Sequence, residues 1–287
     1  MEGKDRFARE VIVITGAGGM GMAIARRLGP GRRILLADYS ETVLEQAVRQ
    51  LRAEGYDVHA RRTDVSDPDS VRGLADTAAQ LGTFRILVHT AGVSPVQATT
   101  DRVIAVDVIG TALVLDEFLR LAGPQSVAVC IASMAGAMAV LPPEAERLLA
   151  TTPTAELASL PILDPAKLDR GAAYSIAKRA NQLRVQWASL QWGRKGGRVV
   201  SVSPGIISTP MGQEELSGPS GQMMRAMIAA SGTGRVGTPD DIAAAVEFLV
   251  SPAASFITGT DLLVDGGAIA GVRFALTREE ERMVGDD

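Results

Sequence analysis

Short apolar runs alternate with helix-patterned stretches along most of this chain, and that alternation limits its fold more than any other feature. Val11–Ile14, Arg33–Ala37, Val58–Arg62, Ile86–Val88, Ser126–Ile131, Arg198–Val202 and Asp261–Val264 read as strands. Most are rich in Val and Ile and apolar on both faces, the pattern of parallel strands buried between helix layers. Between them, Gly21–Leu28, Glu41–Glu54, Pro68–Leu81, Arg102–Leu121, Ala172–Trp192 and Asp240–Val250 read as helices. Asp67-Pro68 and Thr238-Pro239-Asp240 mark helix starts, each with a capping side chain ahead of a first-turn proline. Alternation of this kind implies right-handed βαβ units. The predicted class is α/β: one Rossmann-type domain over residues 1–287, with a doubly wound parallel sheet flanked by helices.

Two stretches interrupt the rhythm. Residues 139–170 are broken by Pro142, Pro143, Pro153, Pro161 and Pro165, with short helices expected at Glu144–Ala150 and Thr154–Ser159. Residues 206–238 are rich in Gly, Pro and Met, and residues 268–287 form a C-terminal tail. Long connections in α/β domains serve as lids, binding loops or interface elements.

Composition narrows the partners. Lys and Arg number 29 against 33 Asp and Glu, a net charge of −4, so there is no electrostatic case for nucleic acid. Cys130 is the single cysteine, which excludes an internal disulfide or a cysteine-based metal cluster. His59 and His89 lack ligand spacing, and no metal is expected. The longest uncharged stretch, Leu121–Pro143, is interrupted by Gly123, Pro124 and Gly136 and does not read as a membrane span. The run Val11–Ile14 after the charged Met1–Glu10 is far too short for a signal-peptide core, so no targeting segment is expected. The expectation is a cytoplasmic protein with a small-molecule substrate and no membrane partner.

Three motifs carry chemistry. The first strand runs into Thr15-Gly16-Ala17-Gly18-Gly19-Met20-Gly21 and then a helix. Glycines there let the backbone approach a pyrophosphate at the helix N-terminus. Asp38 follows the second strand, 22 residues after Gly16, near the ~20 at which a dinucleotide fold places a carboxylate on the adenosine ribose. That carboxylate repels a 2′-phosphate, and Tyr39 and Ser40 after it are not basic, so NAD is the expected cofactor. Tyr174 and Lys178 lie at i and i+4 on one helix face, where the ammonium lowers the phenol's pKa toward general acid–base use. Met211, Met223, Met224 and Met227 suit either an irregular apolar ligand or core packing.

In order, these residues resemble the short-chain dehydrogenase/reductase family over about residues 10 to 267. The resemblance implies a catalytic set of Ser133, Tyr174 and Lys178, with Asp107 where the family has a proton-relay asparagine. It implies a cofactor site of Gly16, Gly19, Met20, Gly21, Asp38, Asp64, Val65, Ala91, Gly92, Pro204, Gly205, Ile207 and Thr209, together with Tyr174 and Lys178. Phe256–Gly259 and Val264–Gly267 resemble the family's C-terminal signature. The activity implied is NAD-dependent interconversion of a secondary alcohol and a ketone, by a homo-oligomer (dimer or tetramer). The alternatives are a non-catalytic dinucleotide sensor or scaffold, and an epimerase or dehydratase that retains NAD.

The chain departs from the family pattern in four places. The glycine loop is one residue short. His89-Thr90 replaces a pair of asparagines, and His89 is expected to hold backbone groups in their place. Asp107 brings a charge and lacks an amide donor. Ser133 and Tyr174 stand 41 residues apart, so residues 139–170 form an insertion beside the site, similar to that of 3α-hydroxysteroid dehydrogenase-like members. Leu148, Leu149, Leu157, Leu160, Ile162 and Leu163 give it apolar surface that needs cover from the cleft, the parent domain or a second subunit, and an oligomer interface or a cleft wall is the expectation.

Overall fold

A computed structural model describes residues 9–274. Seven strands form one parallel sheet in the order 3-2-1-4-5-6-7: β1 (Glu10–Thr15), β2 (Arg33–Asp38), β3 (Asp57–Arg62), β4 (Thr83–His89), β5 (Val127–Ile131), β6 (Arg198–Pro204) and β7 (Asp261–Val264). All seven lie where the apolar runs place them. After β3 the chain returns to the other side of β1, so β1 pairs with both β2 and β4. Connections leave in opposite directions there, which opens a crevice at the carboxyl ends of the strands.

The helices are α1 (Gly19–Leu28), α2 (Glu41–Ala53), α3 (Pro68–Leu81), α4 (Thr100–Val103), α5 (Thr111–Leu119), α6 (Met134–Met138), α7 (Pro143–Thr151), α8 (Arg170–Arg194), α9 (Pro210–Ser217), α10 (Gly221–Ala230) and α11 (Pro239–Val250). Residues 268–274 are also helical, and the rest of the expected tail, 275–287, lies outside the described residues. Asp67 and Thr238 cap α3 and α11, with a capping box at Thr238 and Asp241.

Alternate strand residues supply two cores. Ile12, Ile14, Leu36 and Val129 pack under α1, α2 and α11, while Val13, Leu35, Leu87 and Ala128 pack under α3, α5 and α8. Each such side chain, withdrawn fully from water, contributes roughly 1.5–3 kcal/mol. Among the described residues no helix is long and apolar enough to cross a membrane.

The helix expected over Arg102–Leu121 is not continuous. A π-turn, Ile104–Gly110, separates α4 from α5. Its wider turn divides a crowded apolar run between two cores: Val106 joins the sheet core, and Ile104 and Val108 join a third cluster.

The insertion builds that third cluster. Its Leu149, Leu157, Leu160 and Leu163 are buried against Val103, Ile104, Val108 and Ala112 on one side and Ile176, Ala180 and Leu183 of α8 on the other. Arg179 of α8 donates to Glu146 at 2.7 Å, and Arg184 donates to Thr154 at 3.0 Å. Of the three covers for this apolar surface, the chain supplies the parent domain itself.

Candidate active site

The glycine turn is closed by contacts that exclude side chains. Gly16 has φ +86°, and a Cβ there would meet Thr90 Oγ1 at 2.6 Å. A Cβ on Gly21 would meet the Gly16 carbonyl. The α1 helix then starts at Gly19, with the orphan N–H groups of its first turn at the crevice. The crevice is a cleft of about 840 Å³. Gly16, Gly19, Met20, Gly21, Asp38, Asp64, Val65, Ala91, Gly92 and Thr209 all line it. Size, turn and helix end fit a dinucleotide.

Five expected cofactor residues are not among those that line it: Pro204, Gly205, Ile207, Tyr174 and Lys178. Gly205 and Ile207 line a separate recess of about 160 Å³ with Thr233 and Asp241, and Pro204 ends β6. Chain direction is the reason: only at Thr209, which caps α9 by accepting from Gly212 at 3.1 Å, does the loop reach the phosphate turn. A Cβ on Gly19 would touch Thr209 Cγ2 at 3.3 Å.

At the adenosine end, Asp38 accepts two peptide hydrogen bonds, from Ala17 and from Ser40, each 2.8 Å. It thereby ties the glycine turn to the end of β2. Asp64 accepts from the Ser66 N–H at 2.9 Å and hydroxyl at 2.6 Å, with Arg102 3.4 Å from its other oxygen. Burial pushes Asp64 up, and the Ser66 bonds and Arg102 outweigh it, holding the carboxyl below the ordinary range. Sequence reasoning missed Arg62 and Arg102, whose guanidiniums each lie 5.3 Å from the Tyr39 ring centroid. Only the strand register, which sets Arg62 beside Asp38, could have signalled the first.

The proton-handling end is assembled on α8, whose first turn is capped by Asp169 accepting from Ala172 at 2.8 Å. Lys178 Nζ lies 5.3 Å from the Tyr174 ring centroid. Ser133 caps α6, its Oγ accepting from the Ala135 N–H at 3.1 Å, and its hydroxyl acts on the Tyr174 phenol from across the insertion. Contrary to the expectation from Lys178 alone, the phenol's pKa lies above its ordinary value: burial raises it most, the Lys178 charge and the Ser133 hydroxyl pull it down, and Asp107 and Glu215 push it up.

Asp107 sits in the π-turn with its side chain fully buried. Oδ1 accepts from the Val93 N–H at 2.9 Å, and Oδ2 lies 3.5 Å from Lys178 Nζ. The expected relay position therefore holds a direct carboxylate–ammonium pair. Burial alone would drive Lys178 down, but the Asp107 charge holds it above the ordinary lysine value. A Cβ on Gly92 would come within 3.0 Å of Asp107 and 3.2 Å of Lys178. Because Gly92 also lines the cleft, it is where the pair meets the cofactor side.

His89 holds side-chain hydroxyls, not the backbone groups expected of it. Its Nδ1 is 2.7 Å from Thr15 Oγ1 and its Nε2 is 3.1 Å from Thr111 Oγ1. The Thr111 hydroxyl spends its proton on the Asp107 carbonyl at 2.8 Å. It must therefore accept from His89, which assigns the proton to Nε2 and makes Nδ1 an acceptor for Thr15. Burial, then the Lys178 charge, pushes His89 down to about 3, so it stays neutral. Cys130, buried in β5, is pushed up to about 12 and stays an inert thiol.

The methionines divide. Met211 lines the cleft, Met224 and Met227 pack against Met134 and Ile206 in a small core, and Met223 is exposed. Glu215 of α9, which sequence reasoning also missed, makes its charge felt at Tyr174 and Lys178.

Residues 10–142 match the family described as short chain dehydrogenase, and residues 166–268 match the one described as Enoyl-(Acyl carrier protein) reductase. The unmatched stretch between them falls within the insertion. Short-chain dehydrogenase/reductase bsc3 of Alternaria brassicicola is 38% identical over 92% of this chain and 97% of its own length. The cis-4-hydroxycyclohexanecarboxylate dehydrogenase of Sinomonas cyclohexanicum is 31% identical over 93% of this chain and 99% of its own. A solved short-chain dehydrogenase/reductase from Brucella melitensis, described as a glucose/ribitol dehydrogenase, superposes with a TM-score of 0.73 at 27% identity, covering 91% of this chain and 97% of that one.

Proposed function

The chain belongs to the short-chain dehydrogenase/reductase family, and from that premise we propose that it interconverts a secondary alcohol and a ketone on an apolar small molecule, using NAD. The family binds a nicotinamide dinucleotide and carries out oxidoreductase chemistry. One observation carries the finer reading: Ser133, Tyr174 and Lys178 converge, and Gly92 joins them to the dinucleotide cleft. A cofactor sensor needs no such phenol. The Sinomonas relative, named for a ring alcohol, points the same way.

The bound dinucleotide supplies a hydride acceptor for the carbinol carbon. The chain supplies the proton chemistry. In the oxidation direction the Tyr174 phenolate takes the hydroxyl proton, and the Ser133 hydroxyl hydrogen-bonds the substrate oxygen as it becomes a carbonyl. Lys178 stabilises the phenolate and would hold the nicotinamide ribose. Asp38 would hold the adenosine ribose, Asp64 and Val65 would flank the adenine, and the glycine turn would hold the pyrophosphate. Asp38 is the basis for choosing NAD, while Arg62 and Arg102 at the same end favour NADP as the second reading.

The test is NADH formation with hydroxysteroids, terpene alcohols and aliphatic secondary alcohols. Turnover on at least one class is expected. Tight NAD binding with no turnover on any would replace the enzyme reading with the sensor, and NAD retained without net reduction would indicate an epimerase or dehydratase.

A further inference from the structure

The insertion, α5 and α8 enclose a recess of about 460 Å³ that the hydride reaction does not use. Arg184, Ala188 and Trp192, four apart on one face of the C-terminal half of α8, line it together with Trp187. Leu115, Asp116 and Leu119 of α5 form a second wall, and residues 151–154 of the insertion a third. None of these residues lines the dinucleotide cleft. The volume is in the range of small-molecule sites. Arg184 is 6% exposed, and its hydrogen bonds go to neutral groups, the Thr152 carbonyl and, at 3.0 Å, the Thr154 hydroxyl. Thr154 stands between it and Asp116, donating to Oδ2 at 2.5 Å. Burial lowers the guanidinium's pKa, and the Asp116 charge restores it only in part. Two of the five guanidinium N–H groups are taken, so three remain to give. The indole N–H of Trp192 is buried and closes no hydrogen bond either. A buried cation without a paired anion is costly, and a buried donor without an acceptor needs a reason.

We propose that this recess is a second ligand site, separate from the cleft, and that it takes a monocarboxylate with an apolar body. The carboxylate accepts from Arg184, and the body lies against Leu115, Leu119 and the part-exposed Trp187 ring. The charges select the class. A neutral alcohol or amide leaves Arg184 unpaired, and an ammonium is repelled by it. The exposed Asp116 carboxylate limits the ligand to a single negative charge, because a phosphate dianion would meet it as a like charge. A purely structural tie between α8 and the insertion would not need a cation, since a neutral amide can serve the same two acceptors. Thr152 and Thr154 belong to the insertion and Arg184 to α8, so a ligand held here joins the two and stabilises the fold by mass action.

Trp187 and Trp192 are the two tryptophans of the chain and both line the recess, so indole fluorescence reads its occupancy. Hexanoate, hexanamide and inorganic phosphate are titrated into the full-length protein at saturating NAD, with each titration repeated by calorimetry. Hexanoate is expected to shift the emission saturably and to raise Tm, with hexanamide weaker by about tenfold or more and phosphate silent. Arg184→Met keeps the stem and removes the charge. It should weaken hexanoate by about tenfold or more and leave alcohol oxidation and its KM as in the wild type. Trp187→Ala, on the part-exposed wall, serves if circular dichroism shows that Arg184→Met does not fold, and it should weaken hexanoate in calorimetry through lost apolar contact. The site is overturned by hexanoate that binds no better than hexanamide or phosphate, that keeps its affinity in the folded variant, or that competes with the alcohol. A recess covered by a second copy overturns it too: hexanoate would then be silent, and the mass by light scattering would fall on Trp187→Ala.

Discussion

The two ends of the cleft are held by different means. At the adenosine end the charges are partly exposed and the grip is mostly backbone: glycine contacts, a helix start and two peptide N–H groups on Asp38. At the proton end Lys178 is 5% exposed, Asp107 1% and His89 1%, and side chains hold one another. Charges near solvent are screened, whereas buried ones act at low effective dielectric. The open end should therefore govern which dinucleotide is chosen, and the closed end the rate and its pH dependence.

The largest expected effect is at the closed end. Tyr174→Phe keeps the ring but removes the transferable proton, and alcohol oxidation should fall by about 10²-fold or more. NAD affinity, followed by fluorescence titration, should scarcely move. Loss of both would erase the distinction between the ends.

Next comes the choice of cofactor. The wild-type protein should prefer NAD over NADP by about tenfold or more in kcat/KM. Asp38→Ala removes the carboxylate that repels a 2′-phosphate and leaves Arg62 and Arg102 in place, so the ratio should narrow or reverse. Equal use of the two cofactors by the unaltered protein would show that the arginines already outweigh Asp38.

The smallest effect tests the closed end by sign. The Asp107 charge pushes the Tyr174 pKa up, so Asp107→Asn should lower it. Alcohol oxidation uses the phenolate, and the acid limb of its pH–rate profile should move to lower pH. The near-isosteric amide can still accept from Val93. A limb that stays put or moves to higher pH would mean that the phenol does not sense the buried pair.

The same contrast separates what the sequence makes legible from what it leaves hidden. Parallel strands apolar on both faces, and caps such as Asp67 and Thr238, are local signals, and those elements lie where they were expected. The glycine turn and Asp38 are likewise local. The π-turn leaves no trace in the hydrophobic period, because its extra residue is chosen by packing against the insertion. Arg62 and Arg102 meet Tyr39 only once β2, β3 and α4 are assembled. Asp107 was legible as a position but not as a partner of Lys178, and Glu215 stands out only when α9 is fastened to the loop after β4.

The hydrogen-bonded line through His89 has a direction. The Ala91 N–H donates to Thr15, Thr15 to His89, His89 to Thr111, and Thr111 to the Asp107 carbonyl. Both termini are main-chain groups, and at ordinary pH a peptide N–H cannot release a proton nor a peptide carbonyl keep one. Conduction along the line would also require each member to turn over in sequence. It is an insulator. The proton that Tyr174 collects does not leave along this line.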